Sequence, residues 1–218
     1  MKIKEKKTTV MKFNFSKSKD FPPEISVQGF NENLQVVKEA RALGVLITDD
    51  LKWEANTKFI CAKAFKNMWT LMRMKKLKMD SHDKLDVYIK EIRSVLELAA
   101  PAWHSGLTQA QSASIERVQK IALSIVLSDP VAGKCFTSYS KNLQSLHLDS
   151  LSDRRTKLSL KFAKKSLKND RQEFFKLKAN PFNTRQKSGP FVERSAHSLR
   201  CFNSPVFYMT RLLNAHCT

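Results

Sequence analysis

The sequence predicts an α+β fold, mostly α, in which short N-terminal β-strands precede a helical bundle and a basic helical tail. Three observations carry this expectation. Apolar residues alternate with a period of two near the N-terminus, the period becomes helical from Trp53 onward, and positive charge accumulates toward the C-terminus. A chain of 218 residues with 42% hydrophobic content can bury a core, which excludes a wholly disordered protein.

The first strand is expected over Thr9 to Phe15, where Met11, Phe13 and Phe15 alternate with Val10, Lys12 and Asn14; Pro22-Pro23 ends it. Ile25 to Phe30 and Asn33 to Lys38 read as two further strands around a Gly29 to Asn33 turn, and Ala42 to Ile47 as a nearly continuous apolar strand. Past Trp53, Cys61, Phe65, Met68, Trp69 and Met72 fall on one helical face and Lys63, Lys66, Asn67 and Arg73 on the other. A second helix follows from Leu85, Tyr88, Ile89, Ile92, Val95, Leu96 and Ala99 and stops at Pro101; a third follows from Ile115, Val118, Ala122 and Ile125 and stops near Asp129-Pro130. Residues 131–150 read as irregular. Asp153 to Lys168 is a basic helix with Leu158 and Phe162 inward, Asn180 to Pro190 a loop, and Ser204-Pro205 to Asn214 a terminal helix. Three regions result, 1–52, 53–130 and 131–218.

The net charge of +19 makes nucleic acid the leading class of partner, bound without sequence preference as RNA, DNA or their hybrid. Residues 151–218 hold 15 Lys or Arg against 4 Asp or Glu, so the tail is disproportionately basic. Lys63, Lys66, Arg73, Lys75 and Lys76 on the first helix, with Lys161, Lys164 and Lys165 on the basic helix, are the candidate phosphate contacts. Cys61, Cys135, Cys201 and Cys217 form no Cys-x-x-Cys pair, which argues against a zinc site and a secreted disulfide framework and points to an intracellular protein of nucleus or cytoplasm. No apolar run approaches the roughly 20 residues of a membrane span, so no membrane partner is expected.

Asp49-Asp50 invites comparison with the carboxylates that hold two metal ions in polymerases. The only further Asp upstream is Asp20, which has no matching strand context, so the pair reads as a turn and helix cap. His197, Cys201, His216 and Cys217 lack zinc-knuckle spacing. No catalytic residue, metal site or cofactor is therefore expected. Trp69, beside Phe65 and Met68 at helical spacing, reads as core.

The order of several short motifs resembles the reverse transcriptases of non-LTR (LINE-type) retrotransposons. They are Leu43-Gly44-Val45 with Asp49-Asp50 and Leu51-x-Trp53; Ile92-x-Ser94-x-Leu96 leading to Pro101-x-Trp103; Ile115-Glu116-x-Val118-Gln119-Lys120; Leu143, Leu146 and Leu151 with Arg154-Arg155; and Ser204-Pro205 with Leu212-Leu213-Asn214. The resemblance implies that residues 1–52 are the end of a palm, 53–130 a thumb-like bundle and 131–218 the region that follows, in a truncated piece lacking fingers and palm core. It also implies that Leu43 and Gly44 lie where the family holds the primer strand, and that Arg154 and Arg155 join the nucleic-acid contacts. Ala42, Asn56 and Leu98 depart from the family's usual residues. The alternative reading is a helical protein-interaction module, with an exposed palm edge open to a protein partner. Polymerase activity is a more distant alternative.

Overall fold

A computed structural model describes residues 8–13, 34–127, 139–169, 172–177, 189–193, 195–196 and 198–216. The fold is α+β and mostly α. It divides into two compact units, Met1–Phe59 and Ile60–Thr218. The division falls inside the first long helix, and the helices on both sides of the expected boundary at 130 belong to one unit.

In the first unit, β1 (Thr9–Val10) pairs in parallel with β2 (Gln35–Val36), and Val37 N–H donates to the Val10 carbonyl at 2.9 Å. β3 (Glu39–Ala42) and β4 (Val45–Thr48) form an antiparallel hairpin with Ala42 opposite Val45. The expected continuous strand over Ala42 to Ile47 is thus broken at Leu43-Gly44. Both residues have positive φ, 49° and 88°, the geometry a two-residue connection needs to match the twist of its strands. Glycine adopts it freely, whereas Leu43 carries the strain of a left-handed side-chain-bearing residue. Of the other expected strands, Ile25 to Phe30 and its turn lie outside the described residues, and Asn33 to Lys38 is represented by β2.

Helix α1 (Glu54–Lys76) begins with Thr57 N–H donating to the Trp53 carbonyl at 2.8 Å. Its buried apolar residues are Ile60, Ala64, Met68, Leu71 and Met74, and Asn56 and Thr57 are buried in its first turn. Phe65, Trp69 and Met72, expected inside, are exposed, so the core face is rotated from the predicted one.

Helix α2 (Ser81–Val87) is capped by Asp80, whose carboxylate accepts the His82 N–H at 2.9 Å. It continues through a π-helical turn, Tyr88–Arg93, into α3 (Ser94–Glu97). Pro101 is not the stop. The chain turns at Ala99, which has φ 50°, and Pro101 sits in the first turn of α4 (Ala100–Trp103), where its missing N–H costs nothing. The Trp103 indole N–H donates to the Leu98 carbonyl at 2.9 Å, satisfying a group freed by that break.

A 3₁₀ turn, His104–Gly106, leads to α5 (Gln109–Val126), which starts on a capping box. Gln111 N–H donates to Thr108 Oγ1 at 3.2 Å, and Thr108 N–H donates to Gln111 Oε1 at 2.9 Å. The stretch expected to be irregular contains α6 (Tyr139–Ser145). Helix α7 (Leu151–Lys168) is capped by Ser150 and buries Leu151, Arg155, Ser159, Ala163 and Ser166. Phe162, expected inward, is exposed, and Leu158 is only half-buried. A 3₁₀ turn, Gln172–Phe174, then α8 (Leu199–Phe202) and α9 (Pro205–His216) follow, and α9 fulfils the expected terminal helix.

Helix α7 is the organising element of the second unit, packing on α4, α5 and α9. Tyr88, Ile92, Leu96, Trp103, Ile115, Val118 and Leu123 are fully buried, each contributing roughly 1.5–3 kcal/mol where apolar. Ala163, Phe175, Phe191, Met209 and Leu213 form a core cluster nearer the C-terminus. A chain of hydrogen bonds, buried at Tyr88 and part-buried toward Tyr139, threads the bundle. Tyr88 Oη donates to Gln119 Oε1 at 2.6 Å, Gln119 Nε2 donates to Tyr139 Oη at 2.9 Å, and Tyr139 Oη donates to Glu116. Burial, with the Glu116 carboxylate beside it, raises the Tyr139 phenol above its ordinary range. Among the described residues, no helix is long and apolar enough to cross a membrane.

Candidate nucleic-acid interface

The predicted cations separate into accessible and internal groups. On α1, Lys63, Lys66, Arg73 and Lys76 are exposed and Lys75 is half-buried. After Glu54 that helix carries no carboxylate. Lys66 and Arg73 flank Trp69, and the Arg73 guanidinium lies 4.6 Å from the Trp69 ring centroid, a cation–π contact that holds both side chains outward. On α7, Lys161, Lys164 and Lys165 are exposed, as is Lys168, and Asp153 is the helix's single acid. Lys157 on the same helix is drawn to Asp149 at 2.7 Å.

The other two predicted contacts differ: Arg154 is partly exposed but paired, and Arg155 is buried. Arg154 grips Glu97 with Nε and, at 2.9 Å, with Nη2 in a bidentate pair, and that pairing raises its pKa further. Arg155 is 0% exposed and cannot reach a phosphate. Its Nε donates to His104 Nδ1 at 3.2 Å and its Nη2 to Ser112 Oγ at 2.9 Å, tying α7 to the turn after α4 and to α5. Nη1 has no hydrogen-bond partner among the described residues. His104 Nε2 lies 3.2 Å from Thr156 Oγ1 and 3.4 Å from Tyr208 Oη, with the two rings edge-to-face. Burial first, and Arg155 second, press the His104 pKa down to about 4.

In the first unit, Leu43 and Gly44 stand at the apex of the β3–β4 hairpin, with Leu43 99% exposed. Asp50 belongs to the turn below. It accepts Thr48 Oγ1 at 2.7 Å and Lys52 N–H at 3.0 Å, contacts that pull its pKa down to about 2. Asp49 N–H donates to the Lys38 carbonyl at 3.0 Å. The turn role holds, but the helix-cap role does not, because the first helical carbonyl belongs to Trp53. Among the described residues no group of three or more His, Cys, Asp or Glu could hold a metal ion. Cys201 and His216 are described, whereas His197 and Cys217 lie outside the described residues.

Sequence reasoning missed the exposed trio Phe65, Trp69 and Met72, because it assigned that apolar stripe to the core. The signal lay in the second stripe, Ile60, Ala64, Met68 and Leu71, which has the same period on the same helix. Comparison with known protein families, curated proteins and solved structures finds no match.

Proposed function

We propose that this chain is a non-specific nucleic-acid-binding scaffold, corresponding to the end of the palm and the thumb-like region of a LINE-type reverse transcriptase, and that it does not polymerise by itself. The observation that carries this reading is the pair of helix faces bearing Lys63, Lys66, Arg73 and Lys76 on α1 and Lys161, Lys164 and Lys165 on α7. All seven are exposed, and those helices offer only Glu54 and Asp153 in compensation. Each phosphate neutralised by such a cation releases condensed counterions, so log K falls against log salt with a slope of about 0.9 per contact on duplex DNA. The Leu43 tip supports the same reading, since a fully exposed apolar side chain in a strained backbone suits a contact made at the apex.

Titration of RNA, duplex DNA and a hybrid across a salt series tests it. Binding of all three at low salt that weakens steeply as salt rises is expected, with no primer extension when Mg²⁺ is supplied. Absence of binding at low salt overturns the reading. A helical protein-interaction module is the second reading, favoured by the exposed Phe65, Trp69 and Met72. Concentration-dependent self-association or exposed-dye binding that nucleic acid does not relieve would favour it.

A further inference from the structure

We propose that the outward stripe of α1 formed by Phe65, Trp69 and Met72, edged by Lys66, Arg73 and Lys76, is a stacking platform for unpaired bases, so that single-stranded nucleic acid is the preferred ligand. The inference rests on the nucleic-acid reading above and specifies which form is taken. Phe65 is 43%, Trp69 57% and Met72 46% exposed, beside a neighbouring stripe of Ile60, Ala64, Met68 and Leu71 that is buried. About half of each of these side chains is thus open to solvent.

Its composition selects the occupant. Phe65, Trp69, Met72 and Lys76 follow at intervals of four, three and four, which puts them in one line about 16 Å long at a rise of ~1.5 Å per residue. A cation thus ends the aromatic line, and Lys66 and Arg73 run along one side of it. Bases present flat π surfaces and phosphates a regular negative charge, so a flexible single strand meets both features at once. In a duplex the base faces are stacked away, leaving only the phosphates to contact. One face of the Trp69 ring carries the Arg73 guanidinium at 4.6 Å, and the exposed remainder is the surface offered to a base.

The test compares the full chain with W69L and with K66Q/R73Q on an oligothymidylate and on a hairpin duplex of equal phosphate count. Wild type is expected to bind the single strand more tightly and to show a larger quenching of tryptophan fluorescence than W69L, which keeps only the half-buried Trp53 and the fully buried Trp103. W69L should lose about tenfold in single-strand affinity, stay within about twofold on duplex, and keep the wild-type salt slope because it removes no charge. K66Q/R73Q should lower that slope on both ligands. Equal affinities of W69L and wild type for the single strand, with binding otherwise intact, overturn the stacking platform and leave the electrostatic reading standing. No binding of either oligonucleotide at low salt removes both. A Trp69 emission shift on anionic phospholipid vesicles that excess oligonucleotide cannot displace also overturns the proposal and assigns the stripe to a membrane surface.

Discussion

Arg155 Nε donates to His104 Nδ1 at 3.2 Å, and this one bond fixes the state of both side chains. A histidine that accepts at Nδ1 is neutral and carries its proton on Nε2, so the ring donates to Thr156 Oγ1 or Tyr208 Oη. The charged guanidinium then opposes a second proton. Helices α7 and α9 meet at this ring.

A pH dependence of stability follows. His104 falls from an ordinary 6.5 to about 4 in the folded chain, so between those values the unfolded chain binds more protons and stability rises with pH. The contribution is complete above about 6.5 and disappears as pH falls through about 4. With the ring partly reached by solvent, it is on the order of 2 kcal/mol. Urea unfolding at neutral and mildly acid pH should show a larger acid loss for wild type than for H104N. The common titration of carboxylates such as Asp80, Asp86 and Asp149, whose pKa values are also lowered, cancels in that difference.

Arg155 itself should matter to folding and not to binding. R155A removes the bonds to His104 and Ser112 and opens space beside Trp103, which should cost about 3 kcal/mol in denaturant unfolding. R155M, which keeps the length of the stem, should cost less. Where R155M folds, its oligonucleotide affinity and salt slope should match wild type, because the guanidinium is fully buried. A slope lowered by about one would return Arg155 to the phosphate contacts.

These contrasts locate what the sequence makes legible. The presence of α1, α7 and α9 follows from helical periodicity, with α7 expected over Asp153 to Lys168 and found over Leu151–Lys168, and α9 expected over Ser204 to Asn214 and found over Pro205–His216. Which face goes inward does not follow. Helix α1 has two apolar stripes of equal period, and α7 buries Arg155, Ser159 and Ser166 while exposing Phe162, because small residues permit close helix approach and hydropathy does not register it. The hairpin apex was hidden because Leu43 is apolar and reads as strand, although Gly44 beside it is a common marker of a turn. His104 and Arg155 lie far apart in the chain, so no local pattern pairs them.

The C-terminal helix should depend on one amide. Asn214 Oδ1 accepts the Phe191 N–H at 2.9 Å while its Nδ2 donates to the Phe191 carbonyl at 3.1 Å and to Glu193 Oε1 at 2.8 Å. The side chain behaves as a neighbouring strand would. N214L leaves the buried Phe191 groups without those bonds and should cost about 2–3 kcal/mol. G189A should be comparably damaging, since its Cβ would stand 2.6 Å from the Asn214 Cα, which is backbone. Hydrogen exchange should localise both effects to α9 and residues 189–193. Wild-type protection of α9 in N214L would refute the clamp.

The accessible lysines of α7 give the most direct test of the functional account. Oligonucleotide affinity should be measured across a salt series for wild type and for K161Q/K164Q/K165Q, whose changes lie on an exposed face. The account predicts firm binding at low salt by wild type, and a slope of log K on log salt that falls by roughly 0.7–0.9 for each phosphate contact the triple variant loses. Equal slopes and affinities for the two proteins, or no binding by wild type at low salt, would contradict it.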